Sequence, residues 1–331
     1  MDVKEQYPLS PEGKLVKDET DSELAAVFEG KSEKKIIIAG PCSADREDAV
    51  LDYCTRLRKV SEKVKDKLIV VARVYTNKPR TTGSGYKGML HQPVPGEKPD
   101  PFRGILATRA LHADVLSKAG MPTADELLYP ANFRYLSDLI SYISVGARST
   151  ENQEHRLTAS GLDIPVGMKN PTGGSFEVML NSVIAARHGH SFIYRGWDVD
   201  TTGNPLAHGI IRGYTDMSGA MCPNYGYGRL CALNELFACS GIENPGIIVD
   251  TNHANSGKNP MKQPQIALDV TDSCKKNKDL SHMVKGFMIE SYIEGGCQAI
   301  GPDEIYGKSI TDPCLDFEST ERLIYKIADM I

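Results

Sequence analysis

The sequence predicts an α/β protein built as one (β/α)8 (TIM) barrel, and three observations carry that prediction. Short apolar runs rich in β-branched residues alternate about eight times with helical patterns, the rhythm of a closed parallel sheet wrapped in helices. Most of these runs are continuously apolar, as expected of strands covered on both faces. Nearly every run ends in charged or reactive residues, which a barrel would gather on one face. A doubly wound open sheet is the alternative. At 331 residues the chain has room for a barrel of about 250 residues with additions.

Residues 1–33 are polar and charged, with a short amphipathic stretch at 22–29, and read as an N-terminal extension outside the core and a candidate subunit contact. The barrel domain takes 34–331. Its first strand is 35–39, followed by a helical pattern over 45–64. Strand two is 68–75, followed by a Gly- and Pro-rich loop over 76–102 and a helix over 103–119. A loop of that length inside a compact domain is usually functional. A weaker third strand at 123–127 precedes a helix over 133–142. Strand four (144–147) leads to a helix over 151–159, and strand five (165–168) to one over 176–188. The run 191–194 reads as strand six. Residues 195–225, rich in Gly, Asp and Thr with an apolar piece at 208–211, read as a β-hairpin inserted after it. A helix over 227–239, strand seven (246–250), a helix over 263–275, strand eight (286–289) and a last helix over 316–330 complete the chain.

Composition narrows the function. The chain is 40% hydrophobic and 24% charged, with 38 basic against 43 acidic residues and a net charge of −5. No long basic run gives it the electrostatic footprint of a nucleic-acid or membrane-surface protein. Its longest apolar runs fall far short of the roughly 20 residues that span a bilayer. The N-terminus lacks the apolar core of a signal peptide. Eight cysteines without a CxxC pair fit scattered thiols in a reducing compartment. A cytoplasmic protein is expected.

The strand ends carry the chemistry. Cys42 follows strand one, Arg73 lies in strand two, and Lys78 and Arg80 follow it. Glu126 ends strand three, Arg148 follows strand four, Lys169 ends strand five, and Arg212 follows the 208–211 piece. Six cations at one barrel mouth on a net-acidic chain call for anionic ligands, because unpaired like charges would repel. Arginine forks suit phosphate and carboxylate, and lysine serves as a point charge or proton donor. One or two small phosphorylated, carboxylated substrates are therefore expected. A second set, Cys42, His253, Glu290 and Asp312, has no local metal spacing, and each has an ordinary structural alternative. If the barrel brings them together, a thiolate, an imidazole and two carboxylates could hold Zn, Fe, Mn, Co or Cu. Residues 83–88 match GxGxxG but lead into a Pro-rich loop, which argues against a dinucleotide site.

The motifs GPCS, RVYxxKPRTT, GARSTENQxHR, PVGMKN, IIRG, DTNHANSGK, MIES and YGKSITDPC, in that order, resemble the metal-dependent type I 3-deoxy-D-arabino-heptulosonate 7-phosphate (DAHP) synthases. The resemblance runs from about Lys35 to the C-terminus. It implies condensation of phosphoenolpyruvate with erythrose 4-phosphate, releasing phosphate, in a homo-oligomer (dimer or tetramer). It also implies one divalent metal ion (Mn, Fe, Co, Zn or Cu) on Cys42, His253, Glu290 and Asp312. By the same mapping Arg73, Lys78 and Lys169 would hold the phosphoenolpyruvate carboxylate, and Arg148 and Arg212 its phosphate. Arg80 and Thr81 would anchor erythrose 4-phosphate, and Glu126 would stand beside phosphoenolpyruvate. Lys78 is the expected proton donor, with a pKa lowered by neighbouring arginines. The segment Arg195-Gly196-Trp197-Asp198 departs from the Lys-Trp-Gly-His common in the family. The sister enzyme using arabinose 5-phosphate fits the Lys78-Pro79-Arg80-Thr81 loop less well, and a non-catalytic sugar-phosphate sensor fits poorly with a full set of catalytic-type residues.

Overall fold

Eight parallel strands close into a barrel in a computed structural model that describes residues 3–80 and 82–331. In chain order they are β1 (Lys35–Gly40), β2 (Leu68–Arg73), β3 (Thr123–Glu126), β4 (Ile140–Val145), β5 (Val166–Lys169), β6 (His208–Ile211), β7 (Ile247–Asp250) and β8 (Val284–Glu290). Each pairs with its sequence neighbour, and β1 closes the ring on β8 with Ile36 opposite Gly286 and Gly40 opposite Glu290. Apart from Lys35 at the start of β1, all eight are buried along their whole length, because helices cover the outside while side chains fill the inside. Ile36, Ile38, Ile69, Val71, Ala124, Ile210, Ile248 and Met288 pack in the interior, while Ile37, Val70, Val249 and Phe287 belong to the layer beneath the helices. That alternation is the period of two of a strand. At Gly40 an added Cβ would meet the Arg73 carbonyl oxygen at 2.2 Å, so β1 and β2 pass close just below the mouth.

Three expectations need correction. The sixth barrel strand is β6, not 191–194. Ser191–Tyr194 pairs antiparallel with Trp197–Asp200 in a separate two-stranded hairpin before β6, exposed enough to leave Trp197 76% and Ile193 69% accessible. A second small hairpin, Tyr214–Thr215 with Met221–Cys222, does follow β6. The helix expected over 133–142 is a short 3-10 turn, Pro130–Tyr135, followed by β4, which begins at Ile140 and ends two residues before 147. There the pairing of β-branched Ile140 and Ile143 into the sheet overrides a helical spacing.

The third correction concerns the extension. The helix Pro11–Phe28, capped by Ser10 accepting from the Gly13 amide, does not lie outside the core. Leu24, Val27 and Phe28 are at most 1% exposed and join the interior cluster with Ile36, Ile69 and Ile248. Phe28 stacks on His208 with ring centroids 4.0 Å apart, so this helix forms the floor of the barrel at the strand starts.

His208 is fully buried in that floor. Its Nδ1 lies 2.9 Å from the Leu206 carbonyl and its Nε2 2.7 Å from the Tyr142 hydroxyl. Nδ1 must donate to the carbonyl, so Nε2 accepts from the tyrosine, which fixes a neutral tautomer. Burial pushes its pKa down to about 3. Below pH 6.5 the unfolded chain takes up a proton that the native imidazole refuses, so this group costs stability progressively as pH falls from 6.5 toward 3. Asp45, lifted to about 6 by burial, works in the opposite direction. The expected result is that His208→Gln loses less of its urea midpoint between pH 7 and 5 than the parent chain; equal losses would refute it.

Candidate active site

The C-terminal strand ends open into a cavity of about 500 Å³. Among the described residues Arg73, Lys78, Arg80, Arg148, Lys169, Arg212 and Lys258 line it, against two carboxylates, Glu126 and Asp312. A smaller pocket of about 50 Å³ shares Arg148, Lys169, Arg212, Glu126 and His253 with it. The expected ring of six cations is thus assembled at one mouth, and Glu126 stands in it. Gly146 makes room for that glutamate: a Cβ there would lie 2.4 Å from its Oε1. Thr81 lies outside the described residues.

At one side of the cavity the donor atoms of Cys42, Glu290 and Asp312 all lie within 4.8 Å of one another. Cys42 follows β1 through the Gly40-Pro41 turn, Glu290 ends β8, and Asp312 comes from the loop before the last helix (Phe317–Met330). The Cys42 Sγ to Asp312 Oδ2 distance is 3.6 Å. His253, the fourth residue, has its Nε2 3.7 Å from Glu290 Oε1. Its backbone is left-handed (φ 48°), a costly conformation for a non-glycine residue that a functional site can retain.

Outer contacts orient each of these groups. Asp250 Oδ2 lies 2.8 Å from His253 Nδ1, close but off the line of a good hydrogen bond. Asn252 Nδ2 donates to Glu290 Oε2 at 2.6 Å, and Arg73 Nη2 to Glu290 Oε1 at 3.0 Å. Burial pushes the Glu290 carboxyl up, but His253, Arg73 and Lys78 outweigh it and hold the pKa below the ordinary value. Burial works against the charge of Asp250 too, and His253, Lys169 and Arg212 overcome it. Sequence reasoning passed over Asp250 and Asn252. Their signal was their place three and one residues before His253 in DTNHANSGK.

Arg73 is 2% exposed, lies over the Tyr75 ring at 3.7 Å, and donates through Nη1 to the Pro41 carbonyl. Its buried Nε has no acceptor among the described residues, a donor left for a ligand anion. Lys169, 3% exposed, has its pKa lowered by burial, partly offset by Asp250 at 3.8 Å and by Glu126.

Lys78 corrects an expectation. Its Nζ donates to Cys42 Sγ at 2.6 Å and to Asp312 Oδ2 at 2.9 Å. Burial pulls its pKa down, but Cys42, Asp312 and Glu290 outweigh burial and raise it. Its near neighbours are the Asp312 and Glu290 carboxylates and the Cys42 sulfur, brought from elsewhere in the chain, not the arginines that sequence proximity suggested, so the sign of the shift reverses.

A family model described as the DAHP synthetase I family matches residues 14–324. A phospho-2-dehydro-3-deoxyheptonate aldolase of Haemophilus influenzae is 36% identical, covering 99% of this chain and 89% of the relative. The Tyr-sensitive enzyme of that name from Escherichia coli is 34% identical, covering 98% and 90%. The solved structure of the Francisella tularensis aldolase superposes with a TM-score of 0.91 at 30% identity, covering 99% of this chain and 95% of that one. The Thermotoga maritima structure, at 19% identity and a TM-score of 0.62, shares the fold.

Proposed function

The chain belongs to the DAHP synthetase I family, and from that premise we propose how its barrel mouth carries out the reaction. The activity is that of a DAHP synthase: phosphoenolpyruvate and D-erythrose 4-phosphate condense with water to give DAHP and phosphate, the first step of the shikimate pathway. The observation that carries the site assignment is one cavity lined by seven cationic side chains and by Cys42 and Asp312, whose donor atoms cluster with that of Glu290.

The family is metal-dependent, and the donor set fits: a buried thiol, two carboxyls and a nearby imidazole, each with an outer partner, are what a borderline divalent ion such as Mn, Fe, Co, Zn or Cu selects. Cys42, His253, Glu290 and Asp312 would hold it. When bound, such an ion supplies Lewis acidity toward an aldehyde oxygen.

The remaining work falls to this chain's own residues. Arg73 through its free Nε, with Lys78 and Lys169, clamps the phosphoenolpyruvate carboxylate, while Arg148 and Arg212 take its phosphate in the small side pocket. Arg80 and Thr81 anchor the phosphate of the aldose, whose C1 then faces the enol carbon C3. Holding both anions at fixed positions converts a bimolecular encounter into a near-attack arrangement. As the C3–C1 bond forms, Lys78 gives a proton to the aldehyde oxygen. Water adds at C2 and returns one proton to Lys78; phosphate then leaves with cleavage of its C–O bond, carrying the other proton as C2 becomes the ketone. Glu126, beside these cations, limits their mutual repulsion next to phosphoenolpyruvate.

We also infer a cytoplasmic homo-oligomer, dimer or tetramer. All eight cysteines are unpaired thiols, and among the described residues no helix is long and apolar enough to cross a membrane. The direct test is phosphate release from phosphoenolpyruvate plus erythrose 4-phosphate. We expect a chelator to abolish it and a divalent ion to restore it. Full activity in excess chelator would overturn the metal assignment, and a preference for arabinose 5-phosphate would overturn the choice of aldose.

A further inference from the structure

We propose that Lys258 is a positioning residue of the metal site, holding the outer oxygen of Asp312 so that the inner one faces Cys42 and Glu290. This rests on the reading of Asp312 as a metal ligand. Lys258 Nζ donates to Asp312 Oδ1 at 3.0 Å, while Oδ2 is the oxygen 3.6 Å from the Cys42 sulfur. A carboxylate that offers one oxygen to a metal needs a donor on the other to fix its rotation. Asn252 stands in that relation to Glu290, its Nδ2 donating to Oε2 at 2.6 Å. For Asp312 the residue so placed is Lys258.

The backbone is built to deliver it. Within the six residues from His253 to Lys258, three are left-handed: His253 (φ 48°), Gly257 (φ 63°) and Lys258 (φ 60°). The Lys258 amide donates to the His253 carbonyl at 2.8 Å, so one tight turn presents the imidazole at one end and the ammonium at the other. Two side chains that carry a Cβ hold this unfavourable conformation. A lysine needed only for solubility would not require it. The Lys258 side chain is 47% exposed yet reaches back to Asp312 across the cavity wall. An ammonium near a cation also repels it, but this head group is half in water, where screening weakens that repulsion, and the orienting contact should win.

The test uses the full chain stripped of metal and titrated with Mn2+ against a competing chelator. Lys258→Met should bind Mn2+ about 10- to 100-fold more weakly than the parent, with an unchanged melting temperature of the metal-free protein. Lys258→Arg should restore most of the affinity. Unchanged or tighter Mn2+ binding by Lys258→Met would overturn the proposal. If its KM for erythrose 4-phosphate alone rose, Lys258 would be a substrate contact instead. Asp312→Asn separates the two levels. If it too bound Mn2+ normally, the ligand assignment itself would fall; if it lost Mn2+ while Lys258→Met did not, only the role of Lys258 would.

Discussion

Lys78→Met is expected to lower kcat by about 10²- to 10⁴-fold, the usual contribution of a positioned general acid, with little change in folding. The amine is the only ammonium that touches both Cys42 and Asp312 among the described residues, and it lines the cavity. Burial opposes its charge, but the Asp312 and Glu290 carboxylates and the Cys42 sulfur around it outweigh burial and keep the proton on nitrogen. A proton is therefore stored at the base of the cavity, beside the cluster where the aldehyde oxygen would come to rest. Charge alone could also explain a loss, by weakening the hold on phosphoenolpyruvate. Lys78→Arg distinguishes the two: it keeps the charge but gives up a proton far less readily. If Lys78→Arg retains near-parental kcat, or if Lys78→Met raises only KM, the proton-donor role is wrong and a clamp remains. A melting temperature measured on each variant guards against a trivial loss of fold.

The site was legible in the sequence because barrel topology turns a one-dimensional regularity into a place. Cys42, Lys169 and Glu290 each stand at the end of an apolar run, and closing the strands in order brings those ends together whatever their separation. Asp312 follows no barrel strand, and the eight-motif resemblance carried its assignment. What failed were choices in which a local pattern competed with burial. The residues Ser191–Tyr194 are better strand formers than His208–Ile211, yet the second set enters the barrel, because His208 finds partners in Tyr142 and Leu206 that make its burial tolerable. The sign of the Lys78 shift failed for a related reason: Asp312, its ion partner, lies 234 residues away, and no local window contains it. Lys258 stood in a quoted motif without a role, since only coordinates reveal that its turn is left-handed.

The floor helix shows how far composition can mislead, and it sets the largest expected effect on stability. The helix Pro11–Phe28 carries Lys14, Asp18, Glu19 and Asp21, which is why it read as a solvated extension. Its apolar residues nevertheless close the barrel interior. Phe28→Ala is expected to cost about 3–5 kcal/mol, as deletion of a buried ring does when the neighbours cannot collapse into the gap. They cannot here, because Ile36, Ile69 and Ile248 are held by the strand ladder and His208 by two hydrogen bonds. The measurement is urea unfolding followed by circular dichroism, with a shifted midpoint at unchanged slope. Leu15, 62% exposed on the same helix, is the control: Leu15→Ala should stay within about 0.5 kcal/mol of the parent. If both substitutions cost the same small amount, the helix merely leans on the barrel, and deleting residues 1–33 should leave a cooperatively folding protein. If Phe28→Ala alone shifts the midpoint, that deletion should expose the interior and yield a chain that no longer unfolds cooperatively.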